Sequence, residues 1–149
     1  GGSLQPALHE RAAQHGITAR ITWRGACDQP EVIAAMRAAD LFVLPSRVAR
    51  DGDRDGLPNV LMEAASQKLA ILSTPVSAIP EFIETGVEGV LCADDPETLA
   101  DRIAGIAGDP LGTAAMAEAA YRKLIAQFRM EPGIAHLARR LDTMLDAPR

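Results

Sequence analysis

Three observations predict an α/β fold, a parallel sheet wrapped by helices. Residues 41–45 (LFVLP) and 70–74 (AILST) are short, continuous apolar runs, the pattern of strands buried on both faces. These runs alternate with segments of helical spacing, as in a parallel sheet built from crossover units. The chain has 27 alanines but one Trp, one Tyr and three Phe among 149 residues, so its core must come from Leu, Ile, Val, Met and Ala. A hydrophobic share of 48% is enough to build such a core and excludes a wholly disordered chain.

Each element has its own local signal. Leu4, Leu8, Ala12 and His15 follow helical spacing, with Ser3 as N-cap and Gly16 as the stop. Residues 17–24 (ITARITWR) alternate and predict a strand ended by Gly25, with Trp23 in the core. Asp28, Pro30 and Glu31 mark a helix start, and Val32, Ile33, Met36 and Ala39 supply its apolar face. The strand at 41–45 leads into a polar loop, 47–56, then a helix over 58–67 and a strand over 70–74. A short helix over 79–84, a turn over 85–89 and a strand over 90–93 follow. Asp95-Pro96-Glu97 caps a helix to about Ala107, Gly108-Asp109-Pro110 breaks it, and an alanine-rich helix runs to Phe128. Pro132-Gly133 opens a last helix, ending near Leu145. The whole reads as one domain, α/β over about 1–94 with a helical tail over 95–149.

Charge and cysteine content narrow the function. A net charge of -5 argues against nucleic acid, whose phosphates call for a basic surface, but leaves a small phosphate ligand open. Two cysteines, Cys27 and Cys92, make no disulfide framework and suit a reduced, cytoplasmic setting. Cys92 reads as a packing residue. No apolar run approaches the roughly 18 residues of a membrane span, and no leader is evident; peripheral membrane contact stays open but is not encoded here. His9, His15 and His136 are too scattered for a metal site. The opening Gly1-Gly2-Ser3, without Met, suggests a processed or tagged chain or a piece of a longer one.

The segment 46–63 (SRVARDGDRDGLPNVLME) carries the chemistry. It joins the carboxyl end of a buried strand to a helix start, where open α/β sheets bind ligands and where free N–H groups favour anions. Asp51, Asp53, Asp55 and Gly56 match the first half of a calcium loop, D-x-D-x-D-G, which remains a remote alternative. Such a loop needs a bidentate acid at its twelfth position, here Met62, and Glu63 is about 100° further round a helix. Arg47, Arg50 and Arg54 could steer an anion, although a solvated loop face is the plainer account. A non-catalytic binding or interaction module is the second reading.

Residues 55–64 (DGLPNVLMEA) resemble the E-x7-E signature of the retaining family-four, or group 1, glycosyltransferases of GT-B fold, usually written E-G-[FLI]-[GP]-x-x-x-x-E-A. The runs LFVLPS (41–46), IPE (79–81), GVEGVL (86–91) and DDPETLA (94–100) resemble further family motifs in the same order, and Trp23-Arg24-Gly25 sits where the family has a strand end.

The resemblance implies the C-terminal, donor-binding half of a hexosyltransferase that moves a sugar from a nucleotide diphosphate sugar, UDP- or GDP-linked, to an acceptor hydroxyl with retention. It implies that Asp55 contacts donor-sugar hydroxyls and Glu63 the ribose hydroxyls. It places Gly56, Leu57, Pro58, Asn59 and Val60 against the sugar and diphosphate; Pro58 has no N–H, so its neighbours donate. Ala26 and Cys27 would lie near the base. No metal or other cofactor is implied, and polysaccharide biosynthesis is the expected setting, with the full-length protein cytoplasmic or membrane-associated.

Four departures stand out: Asp55 for the usual Glu, Lys68 for a frequent Gly, Ala70 for Pro, and Ser77-Ala78 for Gly-Gly. The loop 47–54 is also longer than the common form. The resemblance further implies an incomplete Rossmann-like sheet. The first two strands of the half-domain, with an Arg and Lys that bind the diphosphate, would precede Gly1, as would the acceptor-binding half. The expected third strand, residues 21–24, would then re-pair directly with 41–45 or with another chain, and the chain alone would be inactive.

Overall fold

The computed structural model describes residues 2–49, 51–128 and 130–145. Its backbone contacts divide into two compact units, residues 1–35 and 36–149.

The first unit holds α1 (Gln5–Gln14), a 3-10 turn (Thr18–Arg20) and most of α2 (Gln29–Arg37). Helix α1 begins one residue later than its sequence signal. Leu4 is the N-cap, without a side-chain cap bond, and Pro6 lies in the first turn. Gly16 ends it at φ +65, a conformation glycine adopts without cost. Helix α2 starts in a capping box: Glu31 N–H donates to Asp28 Oδ1 and Asp28 N–H to Glu31 Oε2, both at 2.9 Å.

The strand expected over 17–24 is not formed. Residues 18–20 turn as a 3-10 helix, Ile21 is extended, and residues 21–24 have no ladder partner among the described residues. Alternation in sequence marks which residues could face a core, but a strand exists only through hydrogen bonds to a neighbour about 4.8 Å away. Trp23 is correspondingly exposed and packs against His9, ring centroids 4.3 Å apart and planes tilted by 33°.

The second unit is a three-stranded parallel sheet with helices. Strands β1 (Leu41–Leu44), β2 (Ala70–Ser73) and β3 (Val90–Leu91) lie in the order β1-β2-β3, joined by α3 (Asn59–Ser66) and α4 (Ile79–Phe82). The register pairs Leu41 with Ala70 and Leu44 with Ser73, then Leu72 with Val90. Among the described residues β1 pairs with β2 alone, so the expected re-pairing with residues 21–24 is absent.

Central β2 is buried at every position, as its uninterrupted apolar run requires. Helix α3 buries Leu61, Ala64 and Ala65, one stripe at helical spacing, against β2 and α6 (Pro110–Gln127). Helix α6 answers with Ala117 and Ala120, so the alanine richness serves close helix packing. Phe82, fully buried, meets Phe128 edge-on at 5.0 Å. Helix α5 (Pro96–Gly108) is capped by Asp95, which accepts from Thr98 N–H, and α6 by Asp109, which accepts from Gly112 N–H. Helix α7 (Met130–Leu145) starts two residues before Pro132, which falls in its first turn, where proline is tolerated. No helix among the described residues is long and apolar enough to cross a membrane.

Candidate functional site

The parallel sheet presents the carboxyl ends of β1, β2 and β3 on one edge, and the loop from Pro45 to Pro58 rises from that edge. Ser46 N–H turns back to the Leu44 carbonyl at 2.9 Å, ending the strand. The loop then closes on itself: Ala49 N–H donates to Asp53 O at 2.8 Å and Gly52 N–H to Ala49 O at 2.9 Å, with Gly52 at φ +86. Arg47 does not point to a ligand space of its own. Its Nε lies 2.9 Å from Asp94 Oδ2 and its Nη2 donates to the Asp94 carbonyl, tying the loop to the segment after β3. Arg54 is exposed, and Arg50 lies outside the described residues.

Six of the expected site residues follow on one stretch. Asp55 and Gly56 are exposed just ahead of α3, Leu57 and Pro58 are half-buried, and Asn59 and Val60 open the helix. Pro58 is the N-cap in extended conformation, and no side chain caps the turn. Among the described residues the leading N–H groups of α3 make no bond to the N-cap side chain, and they carry the positive end of the helix dipole. Glu63 is half-buried one turn into the helix, and its carbonyl accepts from Ser66 Oγ at 2.6 Å. The stretch combines two carboxylates with anion-favouring amides, a pairing suited to a ligand that has hydroxyls beside an anionic group.

Ala26 and Cys27 belong to the first unit, between Gly25 at φ +69 and the capping box of α2. Ala26 is exposed; Cys27 is half-buried, its Sγ donating weakly to the Arg24 carbonyl at 3.8 Å. Cys92 is buried with Leu72 and Ile106, and burial raises its thiol pKa.

Asp51 uses Oδ1 on Asp53 N–H at 3.1 Å, and no three His, Cys, Asp or Glu among the described residues are grouped to hold a metal.

A cavity of about 570 Å³ lies elsewhere. It is lined by Leu41 and Ala70 at the amino ends of β1 and β2, and by Ile103 and Ile106 of α5. None of the expected site residues lines it.

Two departures from the resembled motifs have a backbone meaning. Lys68 and Ser77 have φ of +54 and +50, so the positions where glycine is frequent are left-handed here too. Lys68 closes α3 in a Schellman turn: its N–H donates to Ala65 O at 3.0 Å and Leu69 N–H to Ala64 O at 3.1 Å. Its side chain offsets part of the strain. Nζ lies 2.8 Å from Glu118 Oε2, a hydrogen bond that lowers the Glu118 pKa, and sits over the Tyr121 ring.

Sequence reasoning missed the groups that hold the loop. Thr74 and Ala78, after β2, bond to the loop carbonyls of Ser46 and Gly56, and Ser73, at the end of β2, bonds to the Leu44 carbonyl at the end of β1. The available signal was a Ser-Thr pair closing an otherwise apolar strand.

Comparison with known proteins agrees with this geometry. Residues 1–109 match the family described as glycosyl transferases, group 1. The amylovoran biosynthesis glycosyltransferase AmsK of Erwinia amylovora is 31% identical over 144 residues, 96% of this chain and 35% of that protein. Among solved structures, Anabaena HepE in complex with UDP has a TM-score of 0.80 at 24% identity, over 93% of this chain and 36% of that one. Sucrose-phosphate synthase from Thermosynechococcus elongatus has a TM-score of 0.82 at 21% identity, over 96% and 35%. The chain thus spans about a third of the length of these relatives. With the match running through the candidate loop and the same α/β architecture in the solved relatives, the chain belongs to the group 1 glycosyltransferases and has the fold of their C-terminal, GT-B half.

Proposed function

We propose that this chain holds a nucleotide diphosphate sugar for a retaining hexosyl transfer to an acceptor hydroxyl. One observation carries the proposal: two carboxylates, Asp55 and Glu63, flank an uncapped helix start at the carboxyl ends of a parallel sheet. In this proposal Glu63 accepts from the ribose hydroxyls with both oxygens, and Asp55 accepts from donor-sugar hydroxyls. The amides of Leu57, Asn59 and Val60 face the diphosphate, and Gly56 leaves room for backbone approach. The amides neutralise charge that grows on the departing diphosphate, the kind of preorganised electrostatic stabilisation that dominates many transfers. No metal is needed for these roles.

Support comes from HepE, solved with UDP and with UDP-glucose, and from AmsK, named for amylovoran biosynthesis. A UDP-sugar and a cytoplasmic polysaccharide-building role are therefore part of the proposal. The 149 residues alone are expected to show no transfer, because acceptor recognition and a basic diphosphate clamp are not among the groups the described residues of this site present.

Titration of the chain with UDP-glucose, followed by ligand-observed NMR, tests the proposal. Binding that weakens about tenfold or more in Glu63→Ala is expected, since a charged hydrogen-bond partner is removed. Binding unchanged by that substitution would sink the assignment of Glu63, and no binding at all would favour a non-catalytic module.

A further inference from the structure

Both ends of the loop that carries Asp55 are tied to one short connection, residues 74–78 between β2 and α4. At the loop's start, Thr74 Oγ1 donates to the Ser46 carbonyl at 2.6 Å. One residue earlier, Ser73 Oγ donates to the Leu44 carbonyl at 2.7 Å. At the loop's end, Ala78 N–H donates to the Gly56 carbonyl at 3.2 Å. Gly56 directly follows Asp55, so this tie sits where the helix start is aimed.

The two hydroxyls differ from the loop's other bonds in their burial. Ser73 is 0% and Thr74 2% exposed, so neither hydroxyl can trade its carbonyl for water without leaving a buried polar group unmet. Residues 49 and 51–53 and the Arg47–Asp94 pair lie in solvent, where such contacts hold weakly. The sheet itself does not require the hydroxyls, because the β1–β2 ladder is made by backbone groups. What Thr74 adds is a fixed point for the chain one residue before Arg47, where the strand has ended and the loop begins.

We propose that Thr74 is a positioning residue: its buried bond to the Ser46 carbonyl, acting with the Ala78–Gly56 tie, sets where Asp55 and the first turn of α3 stand toward the ligand. This rests on the proposed donor site. Thr74 touches no ligand in this scheme; it acts through the loop.

Two measurements on the full chain test it. Amide hydrogen exchange without ligand reads the tie, and an NMR titration with UDP reads the site. In Thr74→Val, amides of residues 46–49 and 51–57 exchange about tenfold faster relative to those of β2, and UDP affinity falls about tenfold, the scale of one lost buried hydrogen bond. Thr74→Ser, which keeps the hydroxyl, restores both. Should Thr74→Val fail to fold, Thr74→Ala removes the same hydroxyl without inserting a methyl in its place.

Unchanged exchange in the loop overturns the tie. Faster loop exchange with unchanged UDP affinity, or affinity that Thr74→Ser does not restore, overturns the positioning role and leaves the donor site standing. A wild-type chain that takes no UDP at millimolar concentration overturns the donor site, and the role of Thr74 toward it, whatever the loop exchange shows.

Discussion

Lys123 of α6 and Glu88, in the turn before β3, form an ion pair at 3.4 Å with side chains only 17% and 11% exposed. Glu88 also uses its other oxygen, accepting from Glu84 N–H at 2.9 Å, so one carboxylate closes the turn and pins it to the longest helix. Losing one partner of such a pair leaves the other charge uncompensated in a poor solvent.

Lys123→Ala should therefore cost about 2 kcal/mol, below the roughly 3–5 kcal/mol of a fully buried pair because some water reaches this one. Urea denaturation measures it. The double variant Lys123→Met with Glu88→Gln should recover much of the loss; a double variant no better than the single would show that the charge of Glu88 is not the source of the cost.

Gly89 is needed for space rather than for φ. A Cβ there would lie 2.7 Å from the Ile71 carbonyl and 3.2 Å from Ile83 Cγ2, in the buried floor under β2. Gly89→Ala is expected to destabilise by about 1–3 kcal/mol, as overpacking does. A thermal melt indistinguishable from wild type would mean that the turn shifts freely.

Ser77 is exposed and left-handed at φ +50. Relief of the left-handed strain is worth about 1–2 kcal/mol. Glycine returns roughly 0.5–1 of it through the entropy of the unfolded chain. Ser77→Gly should leave a net gain of about 0.5 kcal/mol, read as a small rise in the urea midpoint. A fall would mean that the serine side chain makes a stabilising contribution larger than the strain.

The carboxyl of Asp95 is held below its ordinary pKa first by the Thr98 N–H, which donates to it at 2.9 Å as the cap of α5. A carboxyl depressed by folding stabilises the native state above its unfolded pKa of about 3.9. That contribution is lost as pH falls through the lower folded value, because the unfolded chain takes up the proton first. Urea midpoints measured between neutral pH and strong acid should fall less steeply in Asp95→Asn, whose cap does not titrate. Parallel curves for the two proteins would rule out the cap as a source of the acid sensitivity.

How much was legible in the sequence depended on the range of the interaction that decides each feature. The capping box of Asp28 and Glu31, the Asp95 and Asp109 caps and the apolar stripe of α3 are settled within four to eight residues, and the sequence carries them whole. So is the run from Asp55 to Glu63, whose order and spacing mark a candidate site. Residues 17–24 show the limit: their alternation is real, but a strand needs a partner, and alternation contains no partner.

The amino-acid order by itself determined the α/β class, the helix boundaries to within a few residues, and the loop and helix start that carry the proposed chemistry. Only the tertiary structure decided that residues 17–24 form no strand, that Arg47 is spent on Asp94, and that Ser73, Thr74 and Ala78 hold the loop. The physical reason is separation. Thr74 and Ser46 are 28 residues apart, and Arg47 and Asp94 47 apart. Such pairs meet only when the parallel register of β1, β2 and β3 brings their carboxyl ends to one edge, a geometry that no local pattern encodes.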